Sequence, residues 1–136
     1  YKSYKLYKMK KRIEAVHEFH SAFGLGIKNE PTANIGEERN LLRFNLMKEE
    51  NEEYLEAAQN NDLVEVADAL GDMLYILCGT IIEHGMQHKI EEVFNEIQRS
   101  NMSKLGEDGK PIYREDGKVL KGPNYFKPNI KEILDK

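Results

Sequence analysis

Acidic residues occupy positions in this chain where a helix would ordinarily carry its apolar stripe. The stretch 37–60 is rich in Leu, Glu, Ala, Met and Arg, which are good helix formers, with acids in its first turn where the helix dipole favours them. Within it, Leu42 and Leu46 begin a stripe that continues at helical spacing through Glu49 or Glu50, then Glu53, to Ala57. Further on, Glu65, Asp68 and Asp72 fall at i, i+3 and i+7, again on one face, and they are the charged residues between Leu63 and Ile82. A helix apolar on its remaining sides is expected to be largely enclosed, and its carboxylates partly enclosed with it.

Carboxylates that face one another in a partly dry space repel, and an unpaired buried charge costs more than one hydrogen bond returns. Neither row contains Lys or Arg, so bound cations are the economical partner. Oxygen ligands favour hard ions, which points to Mg2+, with Mn2+ as the alternative. Zinc is disfavoured, because no Cys or His pair accompanies the acids at ligand spacing. The expected metal ligands are Glu50, Glu53, Glu65 and Asp68. Asp72, a turn later, is either a ligand or an acceptor behind one. Of the adjacent Glu49 and Glu50, one must point away from the best ligand direction, and Glu52 and Glu56 read as solubilising surface.

Helices must present these rows to each other. Ile13, Val16, His20 and Phe23 recur at helical spacing and predict a first helix over 10–23, stopped by Gly24 and Gly26. Pro31, Asn34 and Gly36 predict a connecting loop over 29–36. Asn60 and Asn61 end the second helix, Asp62 caps the third with Glu65 as its capping-box partner, and Gly85 follows the end of the third near His84. A fourth helix over 88–104 aligns Ile90, Val93, Phe94 and Ile97. Four helices with short connections predict an all-α, four-helix-bundle-like domain spanning 1–136. Beyond Leu105, Glu107-Asp108-Gly109-Lys110 is echoed by Glu115-Asp116-Gly117-Lys118, which predicts a hairpin-like tail over 105–127. The echo is too short to be read as a structural repeat. Pro128 then opens a short terminal helix through Leu134.

A chain of 136 residues is enough for one core, and its net charge of −4 argues against a nucleic-acid polymer as partner. The single cysteine, Cys78, excludes an intramolecular disulfide, reads as ordinary packing, and fits a reducing, cytoplasmic setting. The basic start, 1–12, is not followed by the apolar run of a signal peptide. The apolar stretch 63–82 has the length of a membrane span, but its three acids argue for burial in protein instead. Such a helix needs more cover than three partner helices provide, so a two-fold homodimer is expected.

The order Glu49-Glu50-x-x-Glu53, followed on the next helix by Glu65-x-x-Asp68, resembles the signature of the MazG-like all-α nucleotide pyrophosphohydrolases. Dimeric dUTPases and phosphoribosyl-ATP pyrophosphohydrolase belong to that group by the same resemblance. Asp68-Ala-Leu-Gly-Asp72-Met-Leu-Tyr75 and Asn101-Met-Ser-Lys104 extend it along most of the chain. Asp116-Gly-Lys118-Val-Leu-Lys121-Gly-Pro-Asn-Tyr125 resembles a phosphate-binding tail of some members. The apolar run that follows the family's final Asp fits Asp72 better than Asp68, so both stay open as the principal Asp ligand. The resemblance implies cleavage of a nucleoside triphosphate, such as dUTP, dCTP or a non-canonical nucleotide, to the monophosphate and pyrophosphate. Glu50 and its neighbours would hold the metal, and Glu49 would orient or deprotonate the attacking water. Asn101, Lys104, Lys118 and Lys121 would bind the outer phosphates, and Tyr125 or Phe126 would stack on the base or pin the loop to the core.

His17 and His20 lack a second Glu-x-x-His partner motif and read as surface or core residues, and His84 and His88 as loop residues. Two other readings remain: a non-catalytic helical dimer that uses the third helix as an interaction surface, and a hydrolase of phosphoribosyl-ATP.

Overall fold

Three residues turn the second acid-bearing segment back on the first. Asn60 and Asn61 donate backbone N–H groups to Glu56 O and Ala58 O at 3.0 and 3.2 Å, and Asp62 N reaches Ala57 O at 2.9 Å. Asn61 takes the left-handed conformation, φ 56°, which Asn tolerates better than most residues. Asp62 Oδ1 then accepts from Glu65 N at 3.2 Å, capping the next helix as its sequence predicts. So short a connection makes the two flanking helices antiparallel neighbours.

The computed structural model describes residues 2–136, with side chains from residue 8 onward; the side chains of the first basic residues lie outside the described residues. The helices are α1 (Lys2–Phe23), α2 (Glu37–Gln59), α3 (Leu63–Glu83), α4 (Ile90–Met102) and α5 (Ile130–Leu134). No strand occurs among the described residues, so the fold is all-α as expected. The helix α1 begins at Lys2, not near Lys10: the Lys-rich start is helix-compatible but has no apolar stripe to announce it. The chain forms two compact units, Tyr1–His88 and Lys89–Lys136.

In the first unit α3 packs against both α1 and α2. Ile13, Val16, Ala57, Ala69, Cys78 and Ile82 are buried, and Phe19 meets Tyr75 edge-on at 5.6 Å between ring centroids. His20, also buried, has Nδ1 3.0 Å from Gly26 O, so it is a core histidine that ties the loop after α1 to the helix. His84, the C-cap of α3, ties the same loop through Thr32 O at 2.8 Å.

A buried ion cluster joins α2 to the end of α3. Glu83, 2% exposed, receives Arg39 Nε and Nη2 at 2.9 and 2.8 Å and Arg43 Nη1 at 3.0 Å. Arg43 also donates to Thr80 Oγ1 at 3.0 Å and to Ile76 O at 2.8 Å. Burial lowers the Arg43 guanidinium from its ordinary value against the opposing pull of Glu83, whereas the hydrogen bonds to Glu83 raise that of Arg39. The close approach requires glycine at position 79, where a Cβ would lie 2.7 Å from both Arg43 Nη2 and His20 Nε2.

One expectation fails here. The outer face of α3 is not enclosed by its own chain: Leu63 is 80% exposed, and Val64, Leu70, Leu74 and Leu77 are exposed as well. Among the described residues no helix is long and apolar enough to cross a membrane.

In the second unit the tail returns to α4. Ser100 Oγ donates to Phe126 O at 2.8 Å, Phe126 N to Ser103 Oγ at 3.2 Å, and Gly122 N to Lys104 O at 2.8 Å. The Asp-Gly echo is a structural repeat after all. Gly106 N reaches Lys110 O and Arg114 N reaches Lys118 O, both at 2.8 Å; Gly109 N reaches Gly106 O and Gly117 N reaches Arg114 O, both at 2.9 Å. In each turn the Asp Oδ1 accepts from the Lys backbone N two residues on. An isolated antiparallel bridge, Tyr113 with Val119, closes the second turn. The last helix starts at Ile130, not Pro128, because Asn129 caps it by accepting from Glu132 N.

Gly71, on α3 like Gly79, has open space around it, with no atom within 4 Å of an added Cβ. Gly79→Ala is therefore expected to lower stability by about 1–3 kcal/mol in urea unfolding, while Gly71→Ala is neutral or stabilising.

Candidate active site

The acid rows of α2 and α3 face each other. Glu50 is half-buried, and its Oε2 is cut off from solvent with no hydrogen-bond partner. Its pKa is raised from 4.5 to about 7, first by burial, then by hydrogen bonding and repulsion from Glu53, then by repulsion from Asp72 and Asp68. A side chain that feels Glu53 on its own helix and both aspartates of the next lies where the two rows converge.

Along the rows toward the Asn60–Asp62 turn opens a cleft of about 290 Å³. Glu53, Glu56, Asn60 and Asp62 line it from one side of the sequence and Glu65 and Asp68 from the other, with the buried Ala57 and Ala69. The alanines keep the helices close where larger side chains would fill the gap. Glu56, which reads from sequence as solvated surface, therefore belongs to this cleft, as does Asn60. Their spacing was the available signal, since Glu56 and Asn60 lie one and two turns beyond Glu53 on the same helix face, although their residue types alone did not mark them.

Glu49 points into solvent beside Glu50, so of the two adjacent glutamates Glu50 takes the inward direction. Glu65, Asp68 and Asp72 of α3 are exposed within their own chain, as is Glu53 of α2, which corrects the expectation that the α3 carboxylates are partly enclosed; of the two acid rows, Glu50 on α2 alone is half-buried. The α3 acids lie on the side of that helix turned to α2, where the cleft between the two helices is open to solvent. Among the described residues no group of three or more His, Cys, Asp or Glu side chains is placed to hold a metal ion. The donor set nevertheless suits a hard cation: it is all oxygen, it is mutually repulsive, and it includes an orphaned buried carboxylate oxygen.

The remaining site candidates lie in the second unit. Lys104 N bonds to Asn101 O at 3.2 Å, and Lys104 O holds Gly122 N, so Lys104 and Lys121 are brought together through the backbone. Lys121 Nζ sits 4.8 Å from the centre of the Tyr125 ring, and Arg99 covers Phe126 at 4.3 Å. One face of each aromatic is thus taken by a cation, and the bonds of Phe126 to Ser100 and Ser103 pin this part of the tail to α4. Lys118 is held by its backbone N to Asp116, beside the Arg114–Asp116 ion pair.

In the metal-free protein the raised Glu50 pKa has a direct consequence for stability. The folded state holds the Glu50 proton more tightly than the unfolded chain, so its contribution is fully present below about pH 4.5 and is lost as pH rises through about 7. With a chelator present, Glu50→Gln should remove that loss. The variant is expected to exceed the wild type at pH 8 by on the order of 1–3 kcal/mol, with the difference shrinking toward pH 5 in denaturant titrations.

No curated protein matches this chain. Among solved structures, it is similar to a protein from Exiguobacterium sp. 255-15 provisionally described as an NTP pyrophosphohydrolase, at 25% identity and a TM-score of 0.51, over 91% of this chain and 94% of that one. Residues 16–101, which include both acid rows, match the family described as phosphoribosyl-ATP pyrophosphohydrolase. The chain therefore belongs to the phosphoribosyl-ATP pyrophosphohydrolase family and is a nucleotide pyrophosphohydrolase.

Proposed function

We propose that the chain hydrolyses a nucleoside or deoxynucleoside triphosphate between its α and β phosphates, with Mg2+ or Mn2+ held by the acid rows. The observation that carries this reading is Glu50: a half-buried carboxylate with one unpartnered oxygen, at the convergence of Glu53, Asp68 and Asp72. Glu50, Glu53, Glu65 and Asp68 are the ligands, with Asp72 either a further ligand or an acceptor behind them. A divalent cation bound there supplies neutralisation of the phosphate oxygens and activation of water. Glu49, exposed beside Glu50, orients the attacking water or accepts its proton. By the same family resemblance, we assign Asn101, Lys104, Lys118 and Lys121 to the outer phosphates.

The family match also favours a second substrate, phosphoribosyl-ATP, which contains the same phosphoanhydride. A panel of dNTPs, NTPs, non-canonical nucleotides and phosphoribosyl-ATP, assayed for pyrophosphate with Mg2+ or Mn2+, separates the two. At least one triphosphate is expected to yield pyrophosphate and monophosphate. Glu53→Gln should cut the rate by about 100-fold or more, because several kcal/mol of charge stabilisation is lost. Absence of pyrophosphate from every triphosphate would refute the reading.

The exposed residues Leu63, Leu70, Leu74 and Leu77 fall at i, i+7, i+11 and i+14, a single stripe of α3. We assign this stripe to a two-fold homodimer, since water-exposed leucines in a row favour a matching surface. Sedimentation at micromolar concentration should give a dimer, and Leu74→Glu a monomer; a wild-type monomer would rule the dimer out.

A further inference from the structure

The Arg39–Arg43–Glu83 cluster and the acid cleft are two ends of one seam. On α2, Arg39, Arg43, Glu50, Glu53 and Ala57 follow at intervals of 4, 7, 3 and 4, all on one face. On α3, Glu83, Thr80, Ile76, Asp72 and Asp68 run the other way. Arg43 and Glu50 are two turns apart, or about 10 Å along the helix axis. One end of the helix pair is therefore drawn together by opposite charges, and the other is pushed apart by like ones.

The attractive end is built to set register. Arg43 donates to three acceptors on α3, namely Thr80 Oγ1, Ile76 O and Glu83 Oε2. The Ile76 carbonyl is shared with Thr80 Oγ1 at 2.9 Å, which fixes the Thr80 hydroxyl as the acceptor for Arg43 Nε. A slip of one residue would break all three contacts and would change which acids face each other. Stability alone does not call for such a cluster, because well-packed apolar residues commonly replace a buried ion pair without loss, and registry is its best-attested use.

We infer that Arg39, Arg43 and Glu83 are positioning residues for the acid cleft, holding α2 and α3 in the register and at the separation that keep Glu50, Glu53, Asp68 and Asp72 converged against their own repulsion. None of the three is a ligand. Their role rests on the cation-dependent reading above, and it is felt as divalent-cation affinity. Loosening the clamp leaves the acid rows tied at one end by the Asn60–Asp62 turn and free to slide and splay along the seam, so each cation must first bring them back into line.

Mn2+ binding to the full chain, followed by calorimetry and by electron paramagnetic resonance of free Mn2+, tests this. Glu83→Gln and Thr80→Val are expected to raise the Mn2+ Kd by about tenfold, while pyrophosphate release at saturating Mn2+ returns to within about twofold of wild type. Ile13→Val, a buried change in α1 away from the seam, should lower the melting temperature and leave the Kd unchanged. If Glu83→Gln does not fold, Thr80→Val decides together with Arg39→Lys, whose side chain is 35% exposed and which keeps its charge; that variant should raise the Kd about two- to threefold. A wild-type chain that binds Mn2+ beside folded seam variants with unchanged Kd overturns the positioning role and leaves the proposed function standing. A wild-type chain that binds no Mn2+ removes both.

Discussion

Mutual repulsion among the carboxylates of α2 and α3 is the constraint around which the first unit is arranged. Two like charges about 5 Å apart near a protein surface repel by roughly 3 kcal/mol, comparable to the burial of a large apolar side chain. The metal-free fold relieves this in two ways. It leaves Glu53, Glu65, Asp68 and Asp72 open to water, and it keeps a proton on Glu50 up to about neutral pH. The raised Glu50 pKa thus marks the point where the two acid rows press most closely on each other. The surrounding packing follows from the same constraint: Ala57 and Ala69 bring the helices close at the cleft, and Arg39, Arg43 and Glu83 bind them at the far end.

Period and spacing were enough to place the acid rows, because acids at i, i+3 and i+7 in an otherwise apolar helix have few explanations. The turn between the rows was equally readable, since Asn60, Asn61 and Asp62 act through hydrogen bonds to residues a few positions away. The clamp was not. Arg39 and Arg43 on a Glu-rich helix look like solvated charge, and their partner Glu83 lies some 40 residues on, at a helix end beside His84 and Gly85, where an acid draws no notice. Whether a charge is buried is decided by what packs over it, and one helix's pattern does not carry that information.

The misreading of α3 has a related cause. A helix that is apolar on most sides must be covered, but its sequence does not say by what. The face toward α1 and α2 is covered within the chain, and the leucine stripe from Leu63 to Leu77 is not. Composition says that such a helix needs cover but not which of its faces receives it, and of the two acid rows Glu50 alone is half-buried.

The match to the family runs from residue 16 to residue 101 and stops where the tail begins. That division coincides with a difference in physical character. The helices carry the acids, whose task depends on the phosphoanhydride common to all these substrates. The tail carries cations set on short turns, each dictated by its own few residues: the two Asp-Gly turns share the hydrogen bonds within 106–110 and 114–118, yet only the second has an arginine, Arg114, to pair with its aspartate. In the first turn the equivalent position is Gly106, so Asp108 receives no such partner from it. Two turns with the same internal hydrogen bonds thus present different charge. Charge placed by long-range packing, as in the acid rows, cannot change at one residue without disturbing the neighbours that face it, whereas charge placed by a local turn can.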